Sequence, residues 1–356
     1  MGARAARFGT AAIVIVFVGR DRGEGIWAMK LKYFHLSWLV GVVLLAHAEF
    51  ACAAEPLKLK IIYSSFTGAY TPLWLAVDDH LGRKYGLEFE AVYAGRARPH
   101  QLLLSGDSQY VVSTGTGVVS SYAVGAKDLV IIASFVHTTG SSIFSKPQLT
   151  TAKELRGKNL ASGRPGAVTD ILLHYILKRK LGLEPGRDVK IVNIADTPAI
   201  FPALEKGVVD AAMLTTPARL VAKKAGFREL VDFDDLGVQY PYVGISTLKA
   251  NVKKNPDVTL RLVRSLTDAI QVFKTNKERS LSVMKKYLRG ASDEMLEETY
   301  SYFSARMPKL PYPSVEAIKT ALEMMADQFP LATSVDPNEV VDLSYVRQIE
   351  AGGVGR

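Results

Sequence analysis

Cysteine is almost absent from this chain, Cys52 being the single one among 356 residues. Any mature form that loses residue 52 therefore has no disulfide, no thiolate zinc cluster and no cysteine nucleophile, and in an oxidising compartment it must be stabilised by packing. Histidine is sparse too. His35 and His47 lie near the start, and His80, His100, His137 and His174 fall in separate segments without metal-ligand spacing. No Gly-x-Ser-x-Gly elbow, His-Glu-x-x-His helix or Gly-x4-Gly-Lys phosphate loop occurs. Basic residues are interspersed with acids and form no arm with aromatics, so no nucleic-acid partner is expected. After the first 50 residues no further apolar run is long enough to span a bilayer. These absences leave no visible catalytic apparatus, and no metal or cofactor is expected.

The composition, 48% apolar and 22% charged, is that of a globular protein with ample core, and the length suits two domains. The start reads as two pieces. Residues 1–28 are an extension ahead of the true start, and Met29 opens a signal peptide over 29–53. Lys30 and Lys32 precede an apolar core at 36–46, and the small-residue triplet Ala51-Cys52-Ala53 follows. An uncleaved anchor is the competing reading, although His47 and Glu49 cut the apolar stretch short; lipid attachment at Cys52 is disfavoured by Glu49 three places before it. Cleavage after residue 53 leaves 38 basic against 32 acidic residues, a formal charge of +6. Such a field favours anionic ligands or an anionic membrane surface.

The mature chain repeats itself. Arg83-Lys84-Tyr85-Gly86-Leu87-Glu88 and Arg179-Lys180-Leu181-Gly182-Leu183-Glu184 read as one helix ending used twice, with glycines 96 positions apart. A second echo joins Gly106 and Gly207, 101 positions apart, each ahead of a short apolar strand and a Ser/Thr pair. Strands expected at 57–63, 88–93, 110–113 and 129–133 alternate with helices at 71–84, 98–104 and 117–124. A second unit follows from 159 to 231. Alternation of this kind implies parallel sheets whose carboxyl-end loops are free to bind. From about Asn251 the pattern turns helical, and this tail is expected to pack on the first lobe. Connectors at 134–150 and 234–244 make a two-strand hinge.

Binding chemistry concentrates at the strand-to-helix turns. Ser113-Thr114-Gly115-Thr116-Gly117 opens a helix with hydroxyls and backbone N–H groups suited to an anion. Helix capping explains Ser113 or Thr114 but leaves Thr116 over. The Gly115-x-Gly117 spacing is a poor dinucleotide fingerprint, since Ser120 and Ser134 stand where a glycine and an acid belong. The corresponding turns of the second unit are Ser162-Gly163-Arg164-Pro165-Gly166 and Thr215-Thr216-Pro217. Arg164 is either a planar clamp for a carboxylate or sulfonate or a solvated turn residue, and Arg96 and Arg98 share that ambiguity. Phe66, Tyr70, Tyr240 and Tyr242 could wall a ring-bearing ligand or simply pack.

Five stretches carry a family likeness: Leu103-Leu104-Ser105-Gly106-Asp107, residues 111–117, residues 151–158, residues 203–212 and Asp342-Leu343-Ser344. Through them residues 57–350 resemble the periplasmic solute-binding proteins of ABC importers for nitrate, sulfonates, taurine and thiamine-pyrimidine precursors. This branch is named for its likeness to thiamine-pyrimidine synthase. The resemblance implies an α/β, bilobal type II binding-protein fold with lobe 1 at 54–136 and 245–356 and lobe 2 at 137–244. It places ligand contacts at Ser65, Phe66, Tyr70, Thr114, Thr116, Ser162, Gly166 and Thr215, to which the residue pattern adds Arg164 and Tyr240. Gly95-Arg96 departs from the glycine pair of many relatives. The expected protein is a monomeric, non-enzymatic capture protein that delivers a small organic anion of the sulfonate or carboxylate class, or a related small solute, to a membrane permease and, through it, to an ATPase. The competing readings are a ligand sensor for a signalling receptor and a pyrimidine-synthase-like enzyme. The enzyme relies on a cysteine-rich segment that the mature chain lacks.

Overall fold

In β1 (Leu57–Tyr63) Lys58 and Lys60 alternate with Leu59 and Ile61, and then Ile61, Ile62 and Tyr63 are all buried. A strand that changes from alternating to continuously apolar leaves a sheet edge for a site covered on both faces. The computed structural model describes residues 55–94, 98–194 and 197–353; the extension at 1–28, the signal peptide at 29–53 with Cys52, and Arg96 lie outside the described residues. Among the described residues no helix is long and apolar enough to cross a membrane.

The first sheet contains β1, β2 (Leu87–Tyr93), β3 (Tyr110–Ser113), β4 (Leu129–Val136) and β10 (Val243–Leu248), in the order β2-β1-β3-β10-β4. The second contains β5 (Ser141–Ser145), β6 (Asn159–Ser162), β7 (Lys190–Asn193), β8 (Ala211–Thr215) and β9 (Arg228–Asp232), in the order β7-β6-β8-β5-β9. Counting each half's own strands, both sheets run second, first, third, an inserted strand, fourth. The duplication read from the echoed glycines is therefore one of topology. Gly86 (φ 68°) and Gly182 (φ 63°) both take the left-handed conformation that stops a helix.

The sheets are mixed, which corrects the expectation of parallel ones. β10 runs antiparallel to β3 and β4, and β5 runs antiparallel to β8 and β9. Each inserted strand comes immediately after the chain has crossed between sheets. The crossing reaches the carboxyl edge of the sheet it enters, so the next strand must run away from that edge, against its neighbours. The stretch 134–150, expected as a connector, in fact holds the end of β4 and all of β5, and the crossing is only 137–140. Ser141-Ser142-Ile143-Phe144-Ser145 looks polar, yet every residue of it is buried.

Side-chain alternation sorts the core into layers. Leu59, Ile61, Tyr110 and Val112 face one side of the first sheet, while Ile62 and Val111 face the other. In the second sheet Ile143, Leu160 and Met213 pack opposite to Phe144, Ala161 and Leu214. The helices of the two halves are α1 (Thr71–Asp78), α2 (Pro99–Leu104) and α3 (Thr116–Ala123), then α4 (Val168–Tyr175), α5 (Ile200–Glu205) and α6 (Ala218–Lys224). The first helix ends earlier than residue 84: His80 adopts φ 49° and Arg83–Tyr85 forms a separate 3-10 turn, with His80 and Arg83 both bonded to Glu88.

The tail comprises α7 (Lys249–Lys254), α8 (Pro256–Thr275), α9 (Lys277–Tyr287), α10 (Asp293–Arg306), α11 (Val315–Met325) and α12 (Ser344–Ala351). It covers both faces of the first sheet. Leu262, Leu266, Ile270 and Phe273 of α8 join the layer of Leu59 and Ile61, while Ile318, Ala321, Leu322 and Met325 of α11 join that of Ile62 and Val111. Ser292 and Ser314 cap α10 and α11, accepting from the N–H groups of Met295 and Ala317.

Candidate functional site

Strand direction decides where the polar turns fall. β1 and β3 are parallel (Ile61 beside Tyr110, Tyr63 beside Val112), so the turns after them, 64–70 and 113–117, leave one edge of the first sheet together. β6 and β8 are parallel (Leu160 beside Ala211), so 162–167 and 215–217 leave one edge of the second. Both crossings attach at these edges. β5 begins with Ser141 opposite Thr215, and near the start of β10 Gly244 lies opposite Ser113. The carboxyl ends of both sheets are thus joined by 137–140 and 233–242, and all four turns border that junction.

Backbone bonds fix the junction: Gly115 N–H donates to Pro241 O at 2.7 Å, Tyr240 N–H to His137 O at 2.7 Å and Thr216 N–H to Gly140 O at 3.2 Å. Thr116 Oγ1 and the Tyr240 hydroxyl are 2.5 Å apart, which ties the start of α3 to the second crossing. Tyr240 is buried, and burial pushes its hydroxyl pKa up to about 12 against the opposing bond from Thr116. Tyr70 is buried as well, its hydroxyl 2.8 Å from Ser64 Oγ, and burial raises its pKa. Phenols so shifted remain neutral hydrogen-bonding groups at physiological pH and add no negative charge. The four turns themselves contain no Asp or Glu.

The anticipated residues separate into three groups. Phe66 is 45% exposed and lines a cavity of about 960 Å³, whose other walls include Tyr63, Tyr287 and, from the second half, Pro198, Thr216 and Pro217. Thr114 lines a second hollow of about 540 Å³ with Ser64, Ser113, Arg98 and His100. Tyr70, Thr116 and Tyr240 line neither cavity: the two tyrosines are buried, Thr116 is half-buried, and their hydroxyls are already bonded. In the second half Ser162 is buried and its Oγ has no hydrogen-bond partner, as is true of Thr216 Oγ1. Gly166 (φ 74°) donates its N–H to Asp170 Oδ2 at 3.0 Å and lines a hollow with α4 and α11 instead of the 960 Å³ cavity. Arg164 is exposed, and Ser65 and Thr215 are half-buried.

The aromatic wall differs from the anticipated one. Phe66 meets Tyr93 at 4.5 Å and Tyr63 at 5.5 Å between ring centroids, and Tyr287 stacks on Trp74 at 4.7 Å with an interplanar angle of 1°. Tyr63 ends a strand, where its aromatic ring reads as sheet packing, and Tyr287 ends a tail helix 224 positions away; no local pattern pairs them. Among the described residues no cluster of His, Cys, Asp and Glu could hold a metal ion.

His100 has no metal-ligand spacing in the sequence, yet its ring supports the 113–117 turn. Its Nε2 lies 3.3 Å from Ser113 Oγ, and a Cβ on Gly117 would fall 2.0 Å from Nδ1. Burial depresses its pKa from 6.5 to about 4. Between those values the unfolded chain takes up a proton that the folded ring refuses. The contribution of His100 is therefore complete above about pH 6.5 and is lost as pH falls toward 4, by roughly 2–3 kcal/mol. Unfolding free energies measured by urea titration at pH 7.0, 5.5 and 4.5 should fall less steeply for His100→Asn than for the parent protein.

Two like-ordered α/β sheets, joined twice at their carboxyl edges with a cavity between them, define the bilobal periplasmic binding-protein fold. Residues 70–280 match the model of the family described as NMT1/THI5 like, and the chain belongs to that family. Solved structures share the fold. The periplasmic aliphatic sulphonate binding protein SsuA from Escherichia coli is 19% identical with a TM-score of 0.66, covering 81% of this chain and 92% of that one. The alkanesulfonate-binding protein SsuA from Xanthomonas axonopodis pv. citri, bound to MOPS, is 22% identical with a TM-score of 0.61 over 82% and 100%. The periplasmic nitrate-binding protein NrtA from Synechocystis PCC 6803 is 15% identical with a TM-score of 0.63 over 84% and 89%. No curated protein sequence matches the chain.

Proposed function

We propose that this protein is the periplasmic, non-enzymatic substrate-binding component of an ABC importer, which captures a small organic anion between its lobes and presents it to a membrane permease and, through that, to an ATPase. The observation that carries this reading is the meeting of four acid-free, hydroxyl-bearing turns at one junction between two sheets of identical strand order. The expected boundary at 244/245 moves to 242/243, because β10 from Val243 belongs to the first sheet: the described parts of 55–136 and 243–353 form lobe 1, and those of 141–232 form lobe 2. Short crossings at 137–140 and 233–242 let the lobes close as bodies about a hinge.

Ser65, Phe66, Thr114, Ser162, Arg164 and Thr215 are the groups we assign to the ligand, while Tyr70, Thr116, Gly166 and Tyr240 hold the turns in place. Phe66 supports this, because it stands 45% exposed on the wall of the cavity that both halves line. Export through the signal peptide at 29–53 and function as a monomer belong to the same reading.

A ligand that binds only the folded state adds about 2.7 kcal/mol of stability at a hundredfold excess over its Kd. Thermal melts of the purified protein with alkanesulfonates, arylsulfonates, carboxylates and nitrate should single out at least one class that raises Tm by several degrees without being consumed. Turnover of a bound compound, or no shift with any anion, would overturn the assignment.

A further inference from the structure

We propose that the cavity between the lobes is built for an organic anion with an aromatic ring or a similarly flat apolar body, its body against Phe66 and Tyr287 and its head toward Arg289. This rests on the binding reading above and narrows its ligand class. The size of the cleft is the first argument: open to solvent and about 960 Å³ before any lobe closure, it admits a body much larger than nitrate. Its lining includes Leu288, Ala291 and Met295 beside the aromatic rings, and mostly apolar walls suit a ligand with an apolar body.

The walls are the second argument. Phe66 keeps 45% of its surface in water while its neighbour Tyr93 keeps 44%, so two adjoining rings stand open. Tyr287 also lines the cavity, and Trp74, fully buried, lies flat against that ring and holds it in a fixed plane. An aromatic or flat apolar surface placed there recovers the burial these rings lack and gains ring-on-ring contact.

Charge supplies the head group. The residues lining the cavity include two cations and no carboxylate. Lys286 is engaged by Asp78, with its Nζ 2.8 Å from each carboxylate oxygen, and the Tyr287 hydroxyl donates to the same carboxylate. Arg289 is exposed and makes no hydrogen bond or ion pair among the described residues. Its fork of donors is left for a carboxylate or sulfonate. The opposite wall, Pro198, Thr216 and Pro217, carries no charge.

Calorimetric titration of the purified protein with benzenesulfonate, 2-naphthalenesulfonate, methanesulfonate, nitrate and benzyl alcohol tests this. The arylsulfonates should bind at least tenfold more tightly than methanesulfonate or nitrate, and benzyl alcohol should bind weakest. Phe66→Ala should weaken the arylsulfonates by roughly tenfold and methanesulfonate by less than about twofold. Phe66→Leu, which keeps the bulk but not the ring face, should lie between. Arg289→Gln should weaken both sulfonate classes by roughly tenfold. Phe66 and Arg289 are both exposed, so these variants fold, which a melt of each confirms. If methanesulfonate or nitrate binds as well as the arylsulfonates, or if Phe66→Ala leaves arylsulfonate affinity unchanged, the ring assignment is wrong and the capture function stands. Equal binding of benzyl alcohol removes the anionic head. If no anion binds at all, the capture function fails and this inference with it.

Discussion

Trp74→Ala should lower the unfolding free energy by about 3–5 kcal/mol, and the loss should be visible as a shift of the urea midpoint with little change of slope. Trp74 has no exposed surface and sits where the first sheet, α1 and the tail meet. Tyr63 approaches it edge-on at 6.2 Å, Tyr70 lies nearly parallel at 6.3 Å and Tyr287 stacks on it at 4.7 Å. Removing the indole empties a space that these rings, fixed by their own strand, turn and helix, cannot collapse to fill. The consequence extends to binding, since Tyr287 loses the surface that orients it. Trp74→Phe should be much milder: a ring remains, and the buried Nε1, which has no hydrogen-bond partner, is removed. If Trp74→Ala costs under about 1 kcal/mol, the indole does not hold these elements together.

Tyr302→Ala should be nearly as damaging, by about 3–4 kcal/mol, for a different reason. Tyr302 belongs to α10 but reaches the crossings between the sheets. Its hydroxyl donates to Asp234 Oδ2 at 2.7 Å and accepts from Thr138 Oγ1 at 2.8 Å, so it touches both crossings. The Arg306 guanidinium lies over the ring at 3.9 Å from its centroid and also bonds Asp234. Gly140, at φ 62°, has no Cβ where the ring passes; one built there would fall 2.9 Å from it. Alanine at 302 leaves Asp234 with one fewer donor in a partly buried place and opens a hole beside the hinge. Tyr302→Phe keeps the ring beneath Arg306 and should cost about 1–2 kcal/mol, the share of the two hydroxyl bonds. Energy transfer between dyes placed on the two lobes should broaden for alanine and remain narrow for phenylalanine. Equal effects of the two substitutions on stability would mean that the ring itself contributes nothing.

Tyr302 also illustrates a limit of reading the chain. Nothing around it, in a helix of mixed composition, distinguishes it from its neighbours Tyr300 and Phe303. Its partners Thr138 and Asp234 are 164 and 68 positions away, and contacts over such separations have no local signature. Tyr287 likewise meets its partner Trp74 only across a long separation in the chain. His100 was visible as a residue, but its partner Ser113 becomes adjacent only when β3 and α2 pack.

By contrast, the repeated glycines and the alternation of apolar strands with helices were local facts. They determined that two like α/β halves would form, because left-handed glycines, apolar periodicity and helix caps act over a few residues. The Ser/Thr-rich turns were legible for the same reason, and so was the NMT1/THI5-like kinship. Only the tertiary structure decided that each sheet would accept one reversed strand, since β5 and β10 take their direction from where the chain enters a lobe and not from their own side chains. It also decided which aromatics face the cavity. Tyr70 and Tyr240 are buried away from it, while Tyr63, Phe66 and Tyr287 are wall, because exposure depends on what packs against a ring, and that partner lies far off in the chain.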